Sequence, residues 1–134
     1  MTTYRVALIG TGRVGYQFNF SDLPDNHAEA LYAHPRCKIV AGVNRGRDKL
    51  TEFGQRFNVS ALYHDYREML REVRPDICNI TTHPQHHAEM VTICAAEPTP
   101  RAIICEKPMA LSTEECDSMI DACQRAGVLL QINH

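Results

Sequence analysis

Two groups of residues in this chain have types and spacings suited to chemistry. The first centres on Lys107, which follows the apolar run Ala102-Ile103-Ile104-Cys105 and Glu106 and is followed at once by Pro108. A lysine held at a strand end can give or take a proton at a substrate oxygen, favouring the alkoxide-like charge that develops when a neighbouring C–H bond breaks. Glu106 is placed to orient that ammonium or tune its acidity, and Pro108 restricts the backbone just beyond. The second group is Gly10-Thr11-Gly12-Arg13-Val14-Gly15, directly after the run Tyr4 to Ile9. A Gly-x-Gly-x-x-Gly alone means little, but after a strand and at the opening of a helix it makes a phosphate cradle. Gly10 suits the tight turn, Gly12 lets a pyrophosphate approach the backbone, and Gly15 lets helix and strand pack closely.

Two further stretches extend this picture. The second apolar run ends at Val43-Asn44-Arg45, where a dinucleotide-binding domain places an acid on the adenine ribose. Asn44 can still bond the ribose, while Arg45, with Arg47 and Lys49 close by, can meet a 2′-phosphate or stack on adenine. The residues therefore favour NADP over NAD as cofactor. After the fourth run comes Thr81-Thr82-His83-Pro84-Gln85-His86-His87. Pro84 sets His83 ahead of the helix, and no nearby acid or cysteine completes a zinc set, so no metal is expected. His87 shares a stripe with Met90, Val91 and Cys94, the pattern of a packing histidine; the alternative puts it, with His83, beside a cofactor at the strand's C-terminal end.

The elements that must position these residues follow from hydrophobic periodicity. Strands are predicted over Tyr4 to Ile9, Lys38 to Val43, Ala61 to Tyr63, Ile77 to Thr81, Ala102 to Cys105 and Val128 to Ile132. Helices alternate with them: from about Asn26 to Ala33, Asp48 to Phe57, around Tyr66, Met69, Leu70 and Val73, from about Gln85 to Ala95, and around Cys116, Met119, Ile120 and Cys123. Ser112 with Glu115 reads as a capping box and Gly127 as a C-cap for the last. The alternation predicts an α/β fold, a Rossmann-type doubly wound parallel six-stranded sheet with helices on both faces, in one domain spanning 1–134. The segment from Tyr16 to Asp25 interrupts the rhythm and is expected to cut the first helix short, either as a loop near substrate or partner or as a plain surface insertion.

Composition narrows the class. With 134 residues, 44% hydrophobic, 22% charged and a net charge of −2, the chain is an ordinary globular domain without the basic excess that nucleic acid or anionic membrane requires. No apolar run approaches the ~20 residues of a membrane span, and the N-terminus has no signal-like core, so a cytoplasmic location is expected. The six cysteines fall within predicted strands and helices, without a Cys-x-x-Cys pair, and read as buried thiols.

Taken together the residues resemble the N-terminal half of the Gfo/Idh/MocA oxidoreductases over essentially the whole chain. The marks are the glycine turn, His64-Asp65 before the Tyr66 helix, Arg74-Pro75-Asp76, Thr82, His87-Ala88-Glu89, Glu106-Lys107-Pro108 and Asn133-His134. The resemblance implies that Gly10, Thr11, Gly12, Arg13, Val14, Asn44 and Arg45 contact NADP or NAD. It further implies that Thr81, Thr82 and His87 line the nicotinamide side and that Lys107 is the catalytic-site lysine, with Glu106 beside it. The chain departs from the family at Thr82-His83, where Thr-Pro is usual, at Gln85, where histidine is common, and at Asn44. The family continues into a substrate-binding second domain, so a truncated chain is expected here, with homo-oligomerisation at full length. Two functions follow: hydride transfer between a nicotinamide and a secondary hydroxyl of a sugar, cyclitol or similar polyol, or a non-catalytic nucleotide-binding module that senses redox state.

Overall fold

The computed structural model describes residues 1–12, 15 and 24–134. Among them the backbone forms β1 (Tyr4–Ile9), α1 (His27–Ala33), β2 (Cys37–Val43), α2 (Arg47–Phe57), β3 (Leu62–Tyr63) and α3 (Tyr66–Val73). There follow β4 (Ile77–Ile80), a 3₁₀ turn (Pro84–His86), α4 (His87–Ala96), β5 (Ala102–Glu106), α5 (Thr113–Ala126) and β6 (Leu129–Asn133). The strands join in one parallel sheet in the order β3-β2-β1-β4-β5-β6. The order reverses between β1 and β4, and at that point the carboxyl ends of the strands open a crevice for ligand. Arg13, Val14 and all of the Tyr16 to Asp25 segment except Pro24 and Asp25 lie outside the described residues.

Side chains alternate across the sheet as strand geometry requires. Leu8 and Ile39 pack with Ala28 of α1 and Phe53 and Phe57 of α2 on one face. Ala7, Ile9, Cys78, Ile80, Ile103 and Cys105 pack with α3, α4 and α5 on the other, through Met69, Leu70, Val91, Cys94, Met119 and Cys123. The Phe53 ring lies directly over Gly42, where a Cβ would overlap it. All six cysteines are free, four of them buried. A hydrogen bond with Cys78 and burial raise Cys94 well above the ordinary thiol range, and burial beside Glu106 lifts Cys105 to about 12, so both stay protonated.

The element ends differ from expectation in a few places, each for a local reason. Asn26 is the N-cap of α1, not its first residue; its side chain accepts the Glu29 N–H at 2.9 Å. Thr81 leaves β4 and turns inward, and Pro84 makes the start of the fourth helix a 3₁₀ turn. Ser112 caps α5 by accepting the Glu115 N–H, but Glu115 reaches one residue further back than a capping box, to the Leu111 N–H at 2.9 Å. Gly127 closes α5 in the left-handed conformation at φ 69°. Ile120, expected on the buried stripe of α5, is 40% exposed, because it stands a full 100° round the helix from the buried Met119.

Candidate functional site

The glycine turn sits at the end of β1, with Gly10 at φ 101°, a conformation side chains rarely adopt. Thr81 locks it from the neighbouring strand, its hydroxyl donating to the Gly10 carbonyl at 2.6 Å. A Cβ on Gly15 would collide with the Gly10 carbonyl, so glycine is what lets the backbone at this position lie against the strand end. Gly12, by contrast, faces open space, and the neighbouring Thr11 hydroxyl is buried with no partner among the described residues. An uncrowded backbone at Gly12 beside a locked turn is what a pyrophosphate needs, so the residues present fit a dinucleotide here.

At the end of β2, Asn44 is half-buried and Arg45 exposed. His64, from the end of β3, donates from Nδ1 to the Asn44 carbonyl at 2.9 Å and braces this turn. Arg45, Arg47 and Lys49 enter no ion pair among the described residues, which leaves a cationic rim at the place expected for the adenine ribose.

A second polar grouping lies at the other side of the reversal point. A cavity of about 630 Å³ is lined by His27, Asn79, Glu106, Lys107, Gln131 and Asn133, among others. Parallel register explains the assembly: Asn79 lies beside Ile104, Glu106 comes two residues later on the same face of β5, and Asn133 is its partner on β6. The cap at Asn26 sets His27 at the first position of α1, above these strand ends. His27 Nε2 is 3.0 Å from Glu106 Oε1, and Asn133 Nδ2 donates to the same oxygen at 2.8 Å. His27 Nδ1 is 3.0 Å from Asn79 Oδ1, while the Asn79 amide nitrogen is buried with no partner among the described residues. The second Glu106 oxygen accepts the Lys107 backbone N–H at 3.3 Å. Burial alone would raise the Glu106 pKa, but the bonds from Asn133 and His27 outweigh it and hold the carboxyl below its usual range.

Lys107 itself is exposed on the cavity rim and joins Pro108 by a cis peptide bond. Its ammonium makes no ion pair among the described residues. The expected pairing of Glu106 with that ammonium is therefore replaced: the carboxylate turns to the α1 side of the sheet, towards His27 and Asn133, and touches Lys107 only through the main chain.

The turn after β4 also differs from expectation. His87 is fully buried and bridges two carbonyls, Pro108 O at 3.0 Å from Nδ1 and Thr82 O at 2.9 Å from Nε2. It tethers the Thr82 turn to the Lys107-Pro108 turn, a bracing role, and is not among the residues that line the cavity. Thr81 likewise gives its hydroxyl to the glycine turn. Thr82 is half-buried, its hydroxyl against Met90 Sδ at 3.3 Å, and His83 is exposed at the start of the 3₁₀ turn. His27 and Asn79 had no signal in the sequence pattern, because they lie 52 positions apart and Glu106 lies 79 positions from His27.

Strand order, a locked glycine turn and a polar strand-end cavity together define a dinucleotide-binding domain of the doubly wound type. Residues 4–134 match the model of the oxidoreductase family with an NAD-binding Rossmann fold, Gfo/Idh/MocA, and the chain belongs to that family. It is 33% identical over 108 residues to D-apiose dehydrogenase of Paraburkholderia graminis, covering 81% of this chain and 28% of the relative. It is 28% identical over 126 residues to myo-inositol 2-dehydrogenase of Thermotoga maritima, covering 94% and 34%. A solved oxidoreductase from Agrobacterium radiobacter, in complex with NAD+, L-tartaric acid and magnesium, superposes with a TM-score of 0.83 at 26% identity, covering 98% of this chain and 35% of that one. The chain thus spans about a third of the length of these proteins.

Proposed function

We propose that this chain is the cofactor-binding part of an oxidoreductase that exchanges a hydride with a secondary hydroxyl of a sugar, cyclitol or similar polyol. The observation that carries the reading is Lys107, an exposed and unpaired ammonium among the described residues, on the rim of the cavity two strands from the glycine turn. The names of the relatives, an apiose and an inositol dehydrogenase, support the substrate class. Substrate contacts beyond Lys107 would come from a further domain, in keeping with the much greater length of the relatives.

In this reading Gly10, Thr11 and Gly12, with Arg13 and Val14, hold the pyrophosphate, and Asn44 and Arg45 hold the adenosine ribose. A bound nicotinamide supplies the acceptor or donor for the hydride, with its electron pair. Lys107 handles the proton: in oxidation its neutral amine takes the hydroxyl proton as the carbonyl forms and becomes the ammonium, and in reduction the ammonium returns that proton to the oxygen. Glu106 keeps the Lys107 backbone in place. Asn44 in place of an acid, beside the unpaired Arg45, favours a 2′-phosphate and hence NADP.

Lys107→Met in the full-length enzyme is expected to cut turnover by about two to four orders of magnitude and leave dinucleotide affinity within threefold. Near-normal turnover would remove Lys107 from the chemistry. Calorimetric titration with NADPH and NADH tests the cofactor; NADH binding more than about tenfold tighter, roughly 1.4 kcal/mol, would overturn the preference for NADP.

A further inference from the structure

Two elements distant in sequence, α1 and β6, converge on one carboxylate at the end of β5. Glu106 Oε1 faces His27 at 3.0 Å and Asn133 at 2.8 Å, and Oε2 faces the Lys107 N–H at 3.3 Å. Glu106 is 7% exposed and the His27 side chain 10% exposed, so little solvent competes for these bonds. Removing one donor would leave a buried carboxylate short of a partner, free to turn and let the Lys107 main chain go.

We propose that His27 is a positioning residue for hydride transfer: with Asn133 it pins the Glu106 carboxylate so that its second oxygen holds the Lys107 backbone. The proposal rests on the assignment of Lys107 above. His27 acts through Glu106 and touches neither reactant. Its other nitrogen shows how the position is kept. Nδ1 faces Asn79 Oδ1, so a His27 bonded to both oxygens carries two ring protons and forms an ion pair with Glu106. Turning the Asn79 amide end for end would make it the donor and leave His27 neutral, with only Nε2 protonated. Either way Nε2–H stays on Glu106, and the Asn79 amide, whose nitrogen has no other partner among the described residues, is free to follow the ring proton.

The other ionisable groups lining the cavity are Asp25, before α1, and Lys107; His134 follows Asn133 on β6 and Cys105 precedes Glu106 on β5. None of them replaces the His27 bond, so its loss is read through Glu106. The test is the pH dependence of kcat and kcat/KM in the full-length enzyme for His27→Leu, His27→Gln, Asn133→Leu and Glu106→Gln. In His27→Leu the carboxylate loses a donor and protonates at higher pH. The acid limb of kcat should therefore move up by about one pH unit, and kcat at neutral pH should fall about tenfold or more, with KM for the dinucleotide within threefold. Asn133→Leu should move the limb the same way. His27→Gln, which keeps an N–H donor, should recover most of kcat. Glu106→Gln should make the limb insensitive to His27, and adding His27→Leu to it should change kcat by less than twofold.

An acid limb unmoved in both His27→Leu and Asn133→Leu, or a full additional loss from His27→Leu on the Glu106→Gln background, would overturn the proposal. Should His27→Leu fail to fold, Asn133→Leu and His27→Gln carry the same comparison. Titration of the parent protein with NADPH and NADH separates the two ideas. If neither binds, the functional reading falls, whereas an upward shift in the pH of acid unfolding of this chain on substituting His27 would still report its hold on Glu106.

Discussion

The same face of the sheet is built in two opposite ways. Over β1 and β2 it is dry: Leu8, Ile39, Phe53, Phe57 and Val59 close on Ala28 with no ionisable group among them. Over β4, β5 and β6 it carries Asn79, Glu106, Gln131 and Asn133, with His27 brought in from the helix and a cavity left open. Both halves use identical backbone geometry, parallel strands with alternating side chains. What differs is the occupant of each alternate position. Apolar groups stabilise in proportion to the area they bury, whatever their detailed partners, whereas buried polar groups stabilise only when each bond is made. The dry half therefore supplies stability, and the polar half supplies a fixed arrangement of charge at the strand ends.

Substitutions that set the halves against each other should separate these contributions. The largest effect belongs to the dry half: Phe53→Ala empties a site at 0% exposure and should cost about 3–5 kcal/mol in urea unfolding, equally at pH 5 and pH 8. A loss below about 1 kcal/mol would mean that α2 is loosely packed. Glu106→Gln should cost less, about 1.5–3 kcal/mol near neutral pH, and the cost should depend on pH. The sign follows from the lowered pKa of Glu106. The ionised group binds protons less readily in the folded chain than in the unfolded one. Its stabilisation is therefore complete above the ordinary carboxylate range and disappears as pH falls through the lower folded value. Parent and variant should converge in acid; a constant gap across pH would show that the network stabilises by packing alone. Thr81→Val should cost about 1 kcal/mol, through the bond to Gly10, and weaken dinucleotide binding more than it weakens the fold. Equal dinucleotide affinity in the variant would show that the turn holds its shape without Thr81.

The two halves were also unequally legible in the sequence. Leu50, Phe53 and Phe57 announce their helix by local spacing, and the run Tyr4 to Ile9 with its glycines announces the turn, since each signal lies within one element and its neighbour. The position of Lys107 just past a strand end was legible for the same reason. The partners of Glu106 were not. Its adjacency to Lys107 suggested an ammonium contact, but neighbouring residues at a strand end point in different directions. Its actual partners come from α1 and β6, placed by the strand order and by the cap at Asn26. For His87 the Met90 stripe left two readings, packing or a place beside the cofactor, and the structure shows it fully buried. What spacing alone could not reveal was that both of its nitrogens are taken by the carbonyls of two separate turns. Local periodicity finds elements; only topology finds pairs drawn from different elements.

A small test sharpens the comparison from the opposite face of the sheet. Tyr66, at the start of α3, is 7% exposed and its hydroxyl has no partner among the described residues. Burial, with the Glu89 carboxylate as a lesser cause, pushes its pKa up to about 12, so the group stays a neutral hydroxyl at any working pH. Here a polar atom sits in the manner of the dry half, enclosed but unbonded, and it contributes the cost of desolvation without a bond in return. Tyr66→Phe removes that atom and keeps the ring under Arg67, whose guanidinium carbon lies 5.2 Å from its centre. The expected result is unchanged stability or a gain of up to about 1 kcal/mol in urea unfolding, with no change in pH dependence. A loss above about 1 kcal/mol would mean that the hydroxyl finds a partner in solution, and that the α3 side of the sheet contains a polar link of the kind found at Glu106.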